Sequence, residues 1–89
     1  MIKNIGPLER KVFEILLDKK EATARDISDS LEKSGDRKAY STVRTIIKRL
    51  VKKKIILERI DPKERTFIYS PALTKDELER KIVNSVIGE

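Results

Sequence analysis

Apolar residues along this chain recur first with a helical period and then with a strand period, and the switch outlines a fold. Leu8, Val12, Ile15 and Leu16 stand at i, i+4, i+7 and i+8, the spacing of one face of an amphipathic helix. Gly6-Pro7 opens that helix, because proline suits a first turn where its missing N–H is harmless, and the face runs to about Lys20. Thr23-Ala24-Arg25-Asp26 is a capping-box variant with Asp in place of Glu or Gln. It introduces a short helix whose Ala24, Ile27 and Leu31 share a face. Ser34-Gly35-Asp36 breaks the pattern and makes a connector. Ser41 is expected to cap a third helix, in which Val43, Ile46, Ile47, Leu50 and Val51 form a continuous apolar stripe. Its β-branched residues are poor helix formers, but five matches to one template outweigh a few tenths of a kcal/mol per residue.

After Lys54 the period becomes that of strands. Ile55–Ile60 and Thr66–Ser70 are short β-branched and aromatic runs. Between them Asp61-Pro62-Lys63-Glu64 has Asp and Pro where a type I turn takes them. Phe67 and Tyr69 are expected on one side of the second strand and Ile68 on the other. Pro71 stops that strand, Thr74-Lys75-Asp76-Glu77 is a full capping box, and Leu78, Ile82, Val83, Val86 and Ile87 are the apolar residues of a last helix ended by Gly88. The order helix, helix, helix, strand, turn, strand, helix predicts a mostly helical α+β fold, a winged helix-turn-helix with one C-terminal helix. Residues 1–73 are expected to form the DNA-binding unit and residues 74–89 a dimerisation element.

Composition narrows the chemistry. The 89-residue chain has no Cys and no His, which removes disulfides, thiolate metal sites and the commonest general base. No metal or cofactor is expected. The acids Asp18, Glu21, Asp26, Asp29 and Glu32 follow solvent-facing helix positions rather than a catalytic constellation, so an enzyme is not expected. No apolar run approaches the ~18 residues of a membrane span, and Met1–Asn4 lead into no signal-peptide core. The reading is a cytoplasmic protein.

Charge changes the picture most. Arg37, Lys38, Arg44, Lys48, Arg49, Lys52, Lys53 and Lys54 form an acid-free run of +8 in a chain whose total is +6. A solvated helix gains from Glu–Lys pairs at i, i+4, so an acid-free run points to a polyanion such as double-stranded DNA. On a helical wheel, Ser41, Thr45, Lys48 and Lys52 lie opposite the apolar stripe, with Arg44 and Arg49 on its flanks. The second helix of a helix-turn-helix enters the major groove with its N-terminal residues at the base edges. Candidate base contacts are therefore Ser41, Thr42, Arg44 and Thr45: small hydroxyl residues allow close approach, and Arg44 can fork onto guanine N7 and O6. Arg37, Lys38, Lys48, Arg49 and Lys52 suit phosphates, which position without reading sequence. Lys63 and Arg65 at the hairpin tip are candidate wing contacts to a phosphate or the minor groove. Glu64 between them weakens that assignment, and an ordinary solvated turn is the equal alternative.

Several segments resemble one family. Glu21-Ala22-Thr23-Ala24-Arg25-Asp26-Ile27, Ala39-Tyr40-Ser41-Thr42-Val43, Arg49-Leu50, Lys53 and Phe67-Ile68-Tyr69-Ser70-Pro71 are similar to the penicillinase-repressor family (BlaI/MecI/CopY type), and Glu9, Val12 and Leu16 fit its first-helix pattern. The resemblance covers about residues 5 to 75. It implies a dimeric winged-helix repressor that binds operator DNA and blocks transcription, with Thr42, Arg44 and Thr45 facing the bases. Arg10 and Leu17 stand where many relatives have Trp, and Lys54 replaces the usual Gly after the recognition helix. That replacement costs up to ~1 kcal/mol if the residue is left-handed. The C-terminal region is short and the copper-binding Cys motif is absent, so induction by proteolysis or by copper is not carried over.

The expected function is a sequence-specific DNA-binding regulator, a repressor on an inverted-repeat operator bound as a homodimer through Leu78, Ile82, Val83 and Val86. The alternative is a winged-helix protein–protein interaction module of a transcription assembly; a gel shift separates the two. The last helix could instead close the monomer core against the first.

Overall fold

The computed structural model describes residues 5–87, with side chains through Ile82. Its elements are α1 (Pro7–Lys19), α2 (Ala24–Lys33), α3 (Tyr40–Lys52), β1 (Ile56–Asp61), β2 (Thr66–Pro71) and α4 (Lys75–Ile87). This is the expected order, a three-helix unit followed by a two-stranded antiparallel wing and one more helix.

Local chemistry explains most boundaries. Pro7 is the first residue of α1, and the Glu9 carboxylate accepts the Gly6 N–H at 2.9 Å. The Thr23–Asp26 box forms reciprocally, each side chain accepting the other residue's N–H at 3.1 Å. Thr74 and Glu77 make the equivalent pair at α4, at 2.9 and 3.0 Å. These boxes satisfy amide donors that a helix start otherwise leaves to water. The start of α3 differs from the sequence expectation: Ala39, not Ser41, is its N-cap, and no side chain caps it. Ser41 lies one residue inside the helix, where its carbonyl accepts the Thr45 hydroxyl at 3.0 Å.

The stripes meet in one core. Val12, Phe13 and Leu16 of α1, Ile27 and Leu31 of α2, and Val43, Ile47 and Leu50 of α3 are essentially inaccessible to solvent, as are Ile55, Ile56 and Leu78. A fully buried Leu, Ile or Phe contributes roughly 1.5–3 kcal/mol, which outweighs the weak helix propensity of α3. Phe13, adjacent to the periodic Val12, widens the buried face of α1 beyond the sequence stripe.

The wing is tied to this core at its base. Ala22, between α1 and α2, forms an antiparallel bridge with Tyr69, with N–H···O distances of 3.0 and 2.8 Å. The strands pair from Ile56↔Pro71 to Asp61↔Thr66, one residue beyond the expected β1 and β2 limits. The loop between them is longer than a simple type I turn: the Arg65 N–H donates to the Asp61 carbonyl at 2.7 Å, and Arg65 is left-handed, with φ 57°. Lys54, which links α3 to the wing, is also left-handed, with φ 64°. It occupies a conformation that glycine adopts without strain.

The last helix is anchored by its first turns. Leu78 is fully buried, and Ile82 packs against the core. Arg10 pairs with Glu79 at 2.6 Å and Lys75 with Glu14 at 3.8 Å, fastening α4 to α1. Leu78, expected at a dimer contact, is enclosed in the core of its own chain. The side chains of Val83, Val86 and Ile87 lie outside the described residues.

Candidate nucleic-acid interface

The apolar stripe of α3 faces inward, so the opposite face is exposed. Ser41, Thr42, Arg44, Thr45, Lys48, Arg49 and Lys52 are all solvent-exposed, as are Arg37 and Lys38 just before the helix. One helix thus brings together the hydroxyl and Arg cluster at its N-terminal end and the cations farther along. Thr45 spends its hydroxyl proton on the Ser41 carbonyl at 3.0 Å. It offers outward a methyl group and an acceptor lone pair, a surface suited to a thymine methyl. Arg44 lies toward the wing, where it shares a cleft with Tyr40, Phe67 and Tyr69.

The first turn of α3 breaks the usual rule for helix starts. It contains no acid and no side-chain cap, although carboxylates there would complement the helix dipole by roughly 0.3–1 kcal/mol. An acid at that place would repel an approaching phosphate.

Among the described residues, none of Arg37, Lys38, Arg44, Lys48, Arg49, Lys52, Lys63 or Arg65 is in a salt bridge. Lys53 behaves differently from its neighbours in the basic run. Its Nζ bonds both carboxylate oxygens of Glu9 at 3.1 Å. Burial of Glu9 acts to raise its pKa, but the Gly6 N–H, the Lys53 ammonium and the nearby charge of Arg49 together hold the carboxyl below its ordinary value. This pair ties the start of α1 to the end of α3 and fixes the pose of the basic helix.

The exposed Lys63 and Arg65 stand at the wing tip as expected. The Asp61 carboxylate accepts the Lys63 N–H at 3.0 Å and shapes the loop between them. At the base of the wing, Tyr69 is buried and its pKa is pushed up to about 12, by burial first and then by its hydrogen bond to Glu58. It is a neutral structural residue.

Three exposed residues of this surface had no contact role in the sequence reading. The Arg25 guanidinium, in the first turn of α2, lies over the Tyr40 ring at 5.1 Å from its centroid, and Phe67 is 42% exposed beside them. The stack joins two helices, and no period along the chain signals it. Among the described residues no group of three or more His, Cys, Asp or Glu could hold a metal ion, and no helix is long and apolar enough to cross a membrane.

The family model of the penicillinase repressor matches residues 5–89. Two proteins from Mycobacterium tuberculosis, each named transcriptional regulator BlaI and from strains CDC 1551 / Oshkosh and ATCC 25618 / H37Rv, are 36% identical to this chain over 78 residues. The match covers 86% of this chain and 54% of each relative, so the chain spans about half the length of the curated relatives it matches. With the winged-helix topology and the family-type segments around α2, α3 and β2, these matches assign the chain: it belongs to the penicillinase repressor family.

Proposed function

We propose that this protein is a transcriptional repressor that binds double-stranded DNA sequence-specifically in the cytoplasm, as a homodimer on an inverted-repeat operator. The observation that carries this reading is the exposed face of α3, which is free of acids and whose Arg44, Lys48, Arg49 and Lys52 form no salt bridge among the described residues. Ser41, Thr42, Arg44 and Thr45 read base edges in the major groove, with Arg44 recognising guanine. Arg37, Lys38, Lys48, Arg49 and Lys52 hold phosphates on either side. Lys63 and Arg65 reach the neighbouring backbone from the wing. An interaction module would not need this cluster of unpaired cations beside hydroxyl residues.

The far end of α4 supplies the dimer contact through Ile82, Val83 and Val86, leaving Leu78 to the monomer core. A two-fold dimer sets its recognition helices about one DNA turn (~34 Å) or a multiple apart. Binding both half-sites raises affinity through effective concentration.

Selection of bound sites from a random DNA pool tests the reading. An enriched inverted repeat is expected, and no enrichment contradicts sequence-specific binding. Truncation after Ile82 keeps Leu78 in place and is expected to give a folded, weakly binding monomer in sedimentation. Full dimerisation by the truncated chain would remove Val83 and Val86 from the interface.

A further inference from the structure

We propose that Arg25, stacked on Tyr40, seats one backbone phosphate of duplex DNA beside the groove that α3 enters. The proposal rests on the DNA-binding reading above and adds a contact from α2, outside the basic run.

Arg25 is poorly placed for helix stability. It occupies the first turn of α2, where the positive end of the helix dipole disfavours a cation. The residue's charge is not consumed elsewhere: Arg25 is exposed and forms no salt bridge among the described residues. Asp26, next to it, is engaged with the Thr23 N–H at 3.1 Å. Asp29, one turn on, is not within ion-pairing distance of Arg25.

The Tyr40 ring supplies what a carboxylate would otherwise supply, a fixed orientation. At 5.1 Å from the ring centroid the guanidinium is held by a cation–π contact, which leaves its in-plane N–H fork open for a phosphate. The stack is also the wall shared by two clefts. One cleft leads past Asp29 and Glu32 to Arg37 and Lys38, and the other to Arg44 and Phe67. A phosphate on Arg25 therefore lies between candidate phosphate contacts and the candidate guanine reader, and the bond fixes how α3 sits along the groove. Tyr40 is a positioning residue, and Arg25 makes the contact.

The test compares wild type, Arg25→Gln and Tyr40→Leu on two probes: a random 30-base-pair duplex, titrated at increasing salt, and the selected operator carrying single methylphosphonate substitutions. Arg25→Gln is expected to bind both duplexes about tenfold more weakly per subunit, and to flatten the log affinity–log salt slope by about 0.9 per subunit. One methylphosphonate position per half-site that weakens wild type should have no effect on the variant. Urea unfolding should be unchanged or shifted to higher urea, since a cation has left a helix start; a merely structural role gives the opposite. Tyr40→Leu should weaken binding less than Arg25→Gln and keep the wild-type salt slope, because the charge remains.

An Arg25→Gln protein with wild-type affinity, slope and methylphosphonate profile overturns the proposal. If wild type itself binds neither duplex at 50 mM salt, the DNA-binding reading fails and the proposal falls with it. Wild-type binding that is insensitive to Arg25→Gln removes the proposal alone.

Discussion

The two sides of this small domain use the same kinds of charged residue in opposite ways. Where α1 meets α4, the connector before α3 and the end of α3, cations are matched: Arg10 with Glu79, Lys11 with Asp36, Lys53 with Glu9 and Lys75 with Glu14. On the outward side of α3 and at the wing tip, Arg44, Lys48, Arg49, Lys52, Lys63 and Arg65 form no salt bridge among the described residues. Lys52 and Lys53 are sequence neighbours, yet one is exposed and unpaired while the other grips a buried carboxylate. Helical geometry turns adjacent residues by about 100°, so a single basic run serves both sides. Net charge alone does not distinguish a structural cation from one held available for a polyanion.

The comparison breaks most sharply at Arg44. Arg44→Ala is expected to lose ~1–3 kcal/mol at the selected operator and to relax preference at one base pair per half-site. Binding to random DNA should stay closer to wild type, because the phosphate contacts remain. Quantitative gel shifts on both duplexes check this, and equal losses on both would reduce Arg44 to a phosphate contact.

The matched side responds in stability instead. Glu9→Gln should destabilise the fold by about 1–2 kcal/mol at neutral pH, since it weakens both the start of α1 and the grip on Lys53. The folded Glu9 carboxyl titrates below its ordinary value of 4.5. Its stabilisation is therefore complete above that value and lost as pH falls through the lower folded-state pKa. Asp36 beside Lys11 and Glu79 beside Arg10 are lowered as well, so the Glu9→Gln protein should also weaken in acid. Urea midpoints at pH 7 and pH 3 provide the check: the gap between wild type and Glu9→Gln should narrow in acid.

A smaller effect sharpens the junction between the two sides. Lys54 is left-handed, with φ 64°, so Lys54→Gly should stabilise the fold by up to ~1 kcal/mol, less the flexibility that glycine adds to the unfolded chain. Thermal unfolding measures it. A loss of stability would mean that the Lys54 side chain contributes more than its backbone strain costs.

How much of this was legible in the sequence follows from the range of each interaction. The helix stripes, the Thr23 and Thr74 boxes and the strand runs are local signals, and all six elements appear in the expected order. The start of α3 misled because a hydroxyl residue is the usual cap, whereas Ala39 precedes a helix with an uncapped, acid-free first turn. Burial of Glu9, enclosure of Leu78 and the Arg25–Tyr40 stack depend on which elements meet in space. Spacing along one element does not encode such contacts. The outward face of α3 was readable because a single helix carries all of it.

The salt dependence of duplex binding tests the central claim most directly. A dimer that neutralises on the order of six to ten phosphates should show log affinity falling with log salt at a slope near −5 to −9. Lys52→Ala should flatten that slope by up to about two units, one per subunit, without altering stability. Lys53→Ala should lower stability and leave the slope unchanged. A slope near zero, or equal flattening by both lysine variants, would contradict the division between free and matched cations.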